Sequence, residues 1–221
     1  MKALKLKMYQ ETACYKKPFA FKVTETYPLP PYSTIIGMIH KVIKAESGEY
    51  VPMDISIQGS YEGIVNSYNT TRFFKSNEVT SMPLNVHMLL GVNLIIHIYA
   101  EEEIMDRIID GFKETGECFS LGRREDLVRL DSIKKVFVEE IKYNRKLRNS
   151  FLLKENCYIP KKYNYNISGI NYRLNKRYRI QNNLRVWEKI SSFFVEKDVD
   201  ISSGTYLIDD DNEGSDIIFF A

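Results

Sequence analysis

Cysteine is scarce in this chain of 221 residues, and the spacing of the few that occur excludes two common kinds of site. The cysteines are odd in number and far apart: Cys14, Cys118 and Cys157. No CxxC pair exists, so neither a zinc knuckle nor a dithiol redox motif is available. This use of cysteine predicts a reducing compartment, and we expect the cytoplasm.

Long apolar runs and the motifs of common enzymes are also missing. The N-terminus alternates lysine with apolar residues and lacks the apolar core of a signal peptide. The most apolar stretch, residues 88–100, is too short to span a bilayer and contains Asn93 and His97. No P-loop, HExxH motif or Ser/His/Asp triad pattern is present. We therefore expect a soluble protein with no membrane contact, no cofactor and no bound metal.

The composition is ordinary for a globular protein, but the charge is unevenly distributed. Hydrophobic residues make up 44% and charged residues 27%, which excludes wholesale disorder. The net charge is +2, yet residues 142–185 carry twelve basic side chains, one acidic side chain and six tyrosines. Cations attract phosphates and aromatic rings stack on unpaired bases, so this basic window predicts nucleic-acid binding. The alternative is a solvated surface that keeps edge strands from aggregating.

Hydrophobic periodicity predicts the order β-α-β-β-α-β over roughly the first 140 residues. In the first strand, Leu4 and Leu6 alternate with Lys5 and Lys7, which indicates one buried face and one basic face. The predicted elements are a strand at 4–9, a helix capped by Ser33 or Thr34 and ending near 47–48, strands at 54–65 and 86–100, a helix opened by residues 101–103 and ended by Gly116, and a strand at 135–141.

This order is typical of an α+β, ferredoxin-like (RRM-like) domain, in which both helices cover one face of the sheet. The other face is expected to be free, and RNA-recognition modules use that face for stacking and phosphate contacts. We predict such a domain over residues 1–141 and a basic, β-rich C-terminal extension over 142–221 packed on it. The acidic segment 209–214 predicts a solvated hairpin turn within the extension.

Two motifs resemble a known family. Residues 14–40 read CYKKPFAFKVTETYPLPPYSTIIGMIH, and residues 121–127 read LGRREDL. They resemble the two signature blocks of the CRISPR-associated Cas family 5 proteins, members of the RAMP superfamily, at the expected separation. The pattern is similar to that of type I-B systems, and the element order, length and β-rich tail agree along the whole chain.

The resemblance implies a role in CRISPR antiviral defence as a non-catalytic subunit of Cascade, the complex that carries CRISPR RNA. Family members hold the 5′ handle of that RNA, cap the complex, and contact the first backbone (Cas family 7) subunit and the large subunit. CRISPR RNA and these two subunits are thus the expected partners, with target DNA in the complex as a further candidate. A protruding thumb also folds over the RNA, and by position it maps to an inserted hairpin at about 66–83.

Glycine, cations and a helix N-terminus supply the candidate phosphate contacts. Gly122 lets the backbone approach a phosphate beside fork-shaped arginine donors, although Arg123 and Arg124 have Glu125 and Asp126 as alternative partners. A helix start at Ser33 and Thr34 offers free N–H groups. The predicted RNA-binding residues are Lys16, Lys17, Lys22, Ser33, Thr34, Gly122, Arg123, Arg124, Arg145, Lys146 and Arg148. The predicted thumb or partner contacts are Arg72, Phe73, Phe74 and Lys75.

The alternative function is a metal-independent endoribonuclease that processes CRISPR precursor RNA, as relatives in type I-C systems do. Such chemistry uses the 2′-hydroxyl with a positioned acid and base. His97 lies in an apolar strand and is interpreted as a core residue, which leaves His40 and His87 as candidates. No two histidines have the spacing of a catalytic pair, so we predict no catalytic residue. A stand-alone RNA-binding module and an assembly bridge are two further hypotheses.

Overall fold

The computed structural model describes residues 1–18, 23–46, 48–142, 151–201, 204–212 and 214–221. Within these ranges the helices are α1 (Tyr32–Val42) and α2 (Glu102–Glu114), with a 3₁₀ turn at Lys161–Tyr163. The strands are β1 (Lys2–Ala13), β2 (Val23–Thr24), β3 (Asp54–Ser60), β4 (Gly63–Phe74), β5 (Val79–Tyr99), β6 (Phe119–Ser120), β7 (Leu127–Lys142), β8 (Phe151–Leu152), β9 (Asn156–Pro160), β10 (Ile170–Gln181), β11 (Leu184–Val195), β12 (Asp200–Ile201), β13 (Thr205–Asp209) and β14 (Ile217–Ile218).

One large sheet organises the described part of the chain. Its central strands follow the order β3-β5-β1-β7, and each neighbouring pair is antiparallel. Strands β9, β11 and β10 continue the sheet beyond β3, while β13 and β14 continue it beyond β7. The prediction of an α+β chain with two helices is confirmed, and the sheet is largely antiparallel. No helix among the described residues has the length and apolarity needed to cross a membrane.

Both helices pack on one face of this sheet. Leu4 and Leu6 alternate along β1, are fully buried, and belong to one core with Ile35 and Ile39 of α1 and Ile108 of α2. The apolar periodicity of the three segments produces this layer, because each buries its hydrophobic stripe against the others.

The start of α1 differs from the prediction, and the expected cap at Ser33 or Thr34 is wrong. Pro31 precedes the helix with extended dihedral angles, and no side chain caps the first turn. Tyr32, the first helical residue, is fully buried, and its hydroxyl lies 3.3 Å from Ser192 Oγ. Tertiary packing of Tyr32 therefore fixes the start of this helix, and Ser33 and Thr34 lie within its first turn.

The C-terminal segment, described at residues 209–212 and 214–221, covers the opposite face of the sheet. The expectation that this face is free is therefore wrong. Lys5 points into this face and is fully buried, with its Nζ 2.7 Å from Asp209 Oδ2, 3.0 Å from Asp211 Oδ2 and 2.6 Å from Asp216 Oδ2. The three carboxylates are likewise buried. A buried ammonium requires such partners, because its desolvation is otherwise strongly unfavourable. The hairpin predicted around 209–214 is confirmed by the pairing of β13 with β14, but the expectation that its turn is solvated is wrong, since Asp209 and Asp211 lie in the interior.

Further polar contacts hold the same segment on the sheet. His97 is fully buried, which confirms its interpretation as a core residue, and its Nε2 lies 2.8 Å from Asp209 Oδ2. Gln58 Nε2 donates to the Ile217 carbonyl at 2.5 Å, and the Phe219 N–H donates to Ser56 Oγ at 3.0 Å. The C-terminal segment is thus tied to three strands of the sheet by hydrogen bonds as well as ion pairs.

Replacement of Lys5 is expected to destabilise the protein strongly. Lys5→Met leaves three buried carboxylates without their shared cation, and breaking a buried ion pair in this way costs about 3–5 kcal/mol. Urea denaturation measures the loss. Lys2→Met is the matched control on the same strand, because Lys2 forms an exposed ion pair with Glu102 at 2.9 Å. An equal, small effect of both variants would contradict the importance of the cluster.

The stability conferred by Asp209 is expected to depend on pH. Burial by itself raises the pKa of Asp209, but hydrogen bonds from His97, Lys5 and the Asp216 N–H prevail and hold that pKa at about 2, below its ordinary value of 3.8. A lowered carboxyl pKa stabilises the fold above about pH 4, and this contribution is lost as the pH falls towards about 2. The difference in unfolding free energy between the natural chain and Asp209→Asn should therefore narrow over that range. A difference in unfolding free energy that does not change with pH would refute the lowered pKa of Asp209.

Candidate nucleic-acid interface

The two sequence motifs meet at the end of β1, where Asp126 joins them. We call residues 121–126 the glycine loop. The buried Asp126 accepts hydrogen bonds at Oδ2 from the N–H of Cys14 at 2.9 Å and from the N–H of Arg123 at 2.8 Å. Gln10 Nε2 donates to the Asp126 carbonyl at 3.1 Å. The glycine loop is therefore fixed against the segment that follows β1.

Gly122 is required by the closure of this loop. Its φ is +113°, a left-handed conformation that residues with a Cβ rarely adopt. A Cβ at this position would lie 2.9 Å from Asp126 Oδ2 and 3.1 Å from the Cys14 carbonyl oxygen. The glycine thus permits close approach, and the group that approaches is Asp126 of the same loop.

The two arginines of the glycine loop have different environments. Arg123 Nη2 lies 2.6 Å from Asp126 Oδ1, Nη1 lies 3.1 Å from Glu125 Oε1, and only 18% of the side chain is exposed. Hydrogen bonding to Asp126 raises the pKa of Arg123 further. Arg124 is exposed, and no carboxylate of the described residues pairs with it. Arg123 therefore braces the loop, while Arg124 presents its charge to solvent.

The lysines after β1 lie beside this loop. Lys16 is exposed and pairs with Thr26 through an isolated β-bridge. Lys17 Nζ lies 3.1 Å from Glu25 Oε2 and 6.0 Å from the centre of the Tyr172 ring. The remaining predicted cations fall outside the described residues: Lys22, Arg145, Lys146 and Arg148.

A long hairpin of β4 and β5 stands where the thumb was predicted. Its register runs from Gly63 opposite Leu90 to Phe74 opposite Val79. Four predicted contact residues at its end are exposed: Arg72, Phe73, Phe74 and Lys75. Near its base, Arg123 Nη2 of the glycine loop donates to Met88 Sδ at 3.3 Å. The glycine loop, the segment after β1 and the hairpin base thus lie together.

Other predicted residues lie elsewhere. Ser33 lines a small cavity with His40, Tyr178 and Trp187, beside the hairpin of β10 and β11. Thr34 is partly exposed in the same helical turn. The helix start is therefore associated with a different surface from that of the glycine loop.

The histidines do not form a pair. His40 Nε2 accepts the Val51 N–H at 3.3 Å, and burial lowers the pKa of His40. His87 and His97 both lie on β5, ten residues and therefore about 33 Å apart along the strand. His40 lies on α1 and is engaged in a structural hydrogen bond.

The basic window of residues 142–185 is divided by the fold. Lys154 Nζ donates to the Ser215 carbonyl at 2.6 Å, and Lys176 Nζ donates to Asp54 Oδ1 at 2.8 Å, so both bind other parts of the chain. Tyr158 is fully buried and donates to the Leu29 carbonyl at 2.8 Å, which leaves it unavailable to a base. The interpretation of the whole window as one binding surface is therefore too broad.

The predicted RNA-binding residues omit one surface, the hairpin of β10 and β11, although the basic window 142–185 includes part of it. Tyr178, Arg179, Arg185 and Trp187 are exposed on its outer half. Asn182 and Asn183 at the turn have φ of 50° and 58°, as a two-residue type I′ hairpin turn requires. The Asn-Asn pair between two arginine- and aromatic-rich segments was the available signal.

Comparisons with known proteins identify the class. One chain of a solved CRISPR RNA-guided surveillance complex aligns with a TM-score of 0.60 and 13% identity, covering 90% of this chain and 91% of that one. A CRISPR protein from Archaeoglobus fulgidus aligns with a TM-score of 0.51 and 12% identity, covering 99% of both chains. A search of curated proteins gives no match. The fold is that of CRISPR-associated proteins.

The family follows from the sequence. The model of the family described as CRISPR-associated protein (Cas_Cas5) matches residues 3–155. The chain belongs to this family, as the two motifs predicted, and it therefore has a role in CRISPR defence.

Gly122→Ala is expected to destabilise the glycine loop. The substitution forces an alanine into a left-handed conformation and against Asp126, at a cost of about 1–3 kcal/mol. Gly116→Ala is the control, because nothing lies within 4 Å of a Cβ added at Gly116. Thermal denaturation of both variants measures the difference. Equal melting temperatures would show that the loop does not need its glycine.

Proposed function

We propose that this chain is the Cascade subunit that holds the 5′ handle of CRISPR RNA, in a system of type I-B, without cutting it. The observation that carries the proposal is the joining of both family motifs by Asp126, next to the base of the β4–β5 hairpin. This arrangement leaves Lys16 and Arg124 exposed, one on each of the two segments that Asp126 joins. Exposed cations near a protruding hairpin suit a single RNA strand.

The scaffold supports this proposal as a ferredoxin-like domain. The central strand order β7-β1-β5-β3, with both helices on one face, corresponds to the order 4-1-3-2 of that fold's four strands. We interpret residues 1–141 as this domain and residues 142–221 as its extension. Because the C-terminal segment covers the second face, the RNA would follow the loops at the end of β1 instead of lying across the sheet.

The β4–β5 hairpin would act as the thumb. Tyr68 and Phe74 are 76% and 77% exposed, and Phe73, Val79 and Met82 are exposed around them. Isolated exposed apolar residues are common, but a group of them on one hairpin indicates a contact surface. We propose that this hairpin contacts RNA beside the handle together with the Cas family 7 backbone subunit. The large subunit and target DNA would meet other faces of the chain.

The non-catalytic assignment is supported by the environment of the histidines. His40 Nε2 already accepts a backbone N–H, and its lowered pKa disfavours a protonated general acid at neutral pH. A complex assembled on CRISPR RNA would act in the cytoplasm, where the thiols of Cys14, Cys118 and Cys157 would stay reduced.

The proposed RNA-binding surface around Lys16 and Arg124, which we call the handle surface, is tested by replacing these two residues. Lys16→Ala combined with Arg124→Ala is expected to weaken binding of the 5′-handle RNA about tenfold or more. The natural chain should show a slope of log affinity against log salt of roughly −2 to −5, and the variant a slope shallower by about 1.4. Fluorescence anisotropy of labelled handle RNA at several salt concentrations provides both values.

The control removes the same charge from helix α2. Arg107→Ala combined with Lys113→Ala alters two exposed cations of α2 and should leave the affinity unchanged. Equal binding by both double variants would exclude the proposed surface.

Denaturing gels of repeat RNA incubated with the chain test the nuclease alternative, and a discrete metal-independent cleavage product would establish it.

A further inference from the structure

The outer half of the β10–β11 hairpin projects from the sheet as a two-stranded ribbon. Its neighbour β9 pairs only with residues 192–195 of β11, so residues 177–189 lie beyond the third strand. The described side chains of this outer half are exposed throughout. A ribbon of this kind is free to contact another molecule on its own.

A cleft of about 950 Å³ lies between this ribbon and the segment before β3. Tyr50 and Gly48 form one wall, and Tyr178, Trp187 and Arg185 belong to the other. The volume is at the upper end of the range of roughly 300–1,000 Å³ typical of small-molecule sites. The cleft can therefore accommodate a group as large as a nucleotide.

The aromatic wall of the cleft is built for stacking. The rings of Tyr178 and Trp187 meet edge to face with their centres 5.3 Å apart, and the Arg185 guanidinium lies 4.7 Å from the centre of the Tyr178 ring. Trp187 remains 36% exposed and Tyr178 38% exposed. Both aromatic rings therefore remain partly exposed to solvent, where a planar ligand can reach them.

The charge around the cleft is strongly positive. Residues 170–195 carry six basic side chains and one acidic side chain, a net charge of +5. The acidic one, Glu188, is hydrogen-bonded by Arg177, whose guanidinium also lies 5.4 Å from the centre of the Tyr50 ring. Among the described residues, no carboxylate forms an ion pair with Arg179 or Arg185. Two guanidinium groups are thus left for an anionic ligand.

We propose that this cleft binds one unpaired base of a single-stranded nucleic acid, with Trp187 as the stacking face and Arg179 and Arg185 as contacts to the flanking phosphates. The combination of aromatic faces and unpaired cations is the one that single strands require. An acidic protein segment would use the cations but not the aromatic faces. The inference deepens the proposed function by adding a second RNA contact. It rests on that function only for the statement that the bound strand is CRISPR RNA.

Trp187 provides a direct measurement, because it is the only tryptophan in the chain. The probe is a single-stranded RNA of twelve adenosines, titrated into the full chain while tryptophan fluorescence and the anisotropy of labelled RNA are recorded. Stacking of a base on Trp187 should quench its fluorescence with the same midpoint as the anisotropy change. Binding without any change in tryptophan fluorescence would overturn the proposal.

Variants separate the contributions of stacking and charge. Trp187→Ala should weaken binding of the probe about 5- to 150-fold, whereas Trp187→Phe should restore most of the affinity. Arg179→Ala combined with Arg185→Ala should weaken binding and make the salt slope shallower by about 1.4. Arg107→Ala with Lys113→Ala is the charge-matched control. Unaltered affinity in the Trp187→Ala and arginine variants would show that the cleft is not a nucleic-acid site.

The outcomes distinguish this inference from the proposed function. Loss of binding in the hairpin variants with unchanged handle binding in the Lys16→Ala, Arg124→Ala variant would support the cleft and contradict the handle surface. The opposite pattern would contradict the cleft alone. A change in Trp187 fluorescence with polyglutamate but not with the RNA would instead identify an acidic protein partner, and equal quenching by a duplex of the same sequence would contradict the unpaired base.

Discussion

The buried ion cluster of Lys5 with Asp209, Asp211 and Asp216 is the interaction on which the arrangement of this protein depends. It fixes the C-terminal segment over the sheet face opposite the helices. An ammonium group in the middle of a central strand is tolerated only because three carboxylates reach it from one segment. The sheet is consequently covered on this part of its second face.

A second buried carboxylate, that of Asp126, holds the two segments that carry the family motifs. Asp126 binds the backbone of both motif segments and fixes the guanidinium of Arg123. Under the proposed function, a loop held in this way would lose less conformational entropy on binding RNA than a mobile one. Two buried aspartates, Asp126 and Asp209, thus organise the loop end and the covered face respectively.

Much of the fold could be predicted from the sequence because apolar periodicity reports burial directly. The alternation of Leu4 and Leu6 identified the inner face of β1, and the apolar stripe of α2 identified that helix. Lys5 could not be predicted in the same way, because a lysine in an alternating strand looks solvent-facing unless its partners, more than two hundred residues away, are known. The acidic turn was misinterpreted for the same reason.

The sequence by itself determined the family, the two helices, the central strands and the hairpin at the thumb position, since motifs and periodicity are local properties of the chain. Only the tertiary structure decided which charges meet. It pairs Arg123 with Asp126 and leaves Arg124 exposed, and it covers one sheet face with the C-terminus. The physical reason is that the partner of a charged group is set by the folded path of the chain, whereas the preference of an apolar side chain for burial is intrinsic to it.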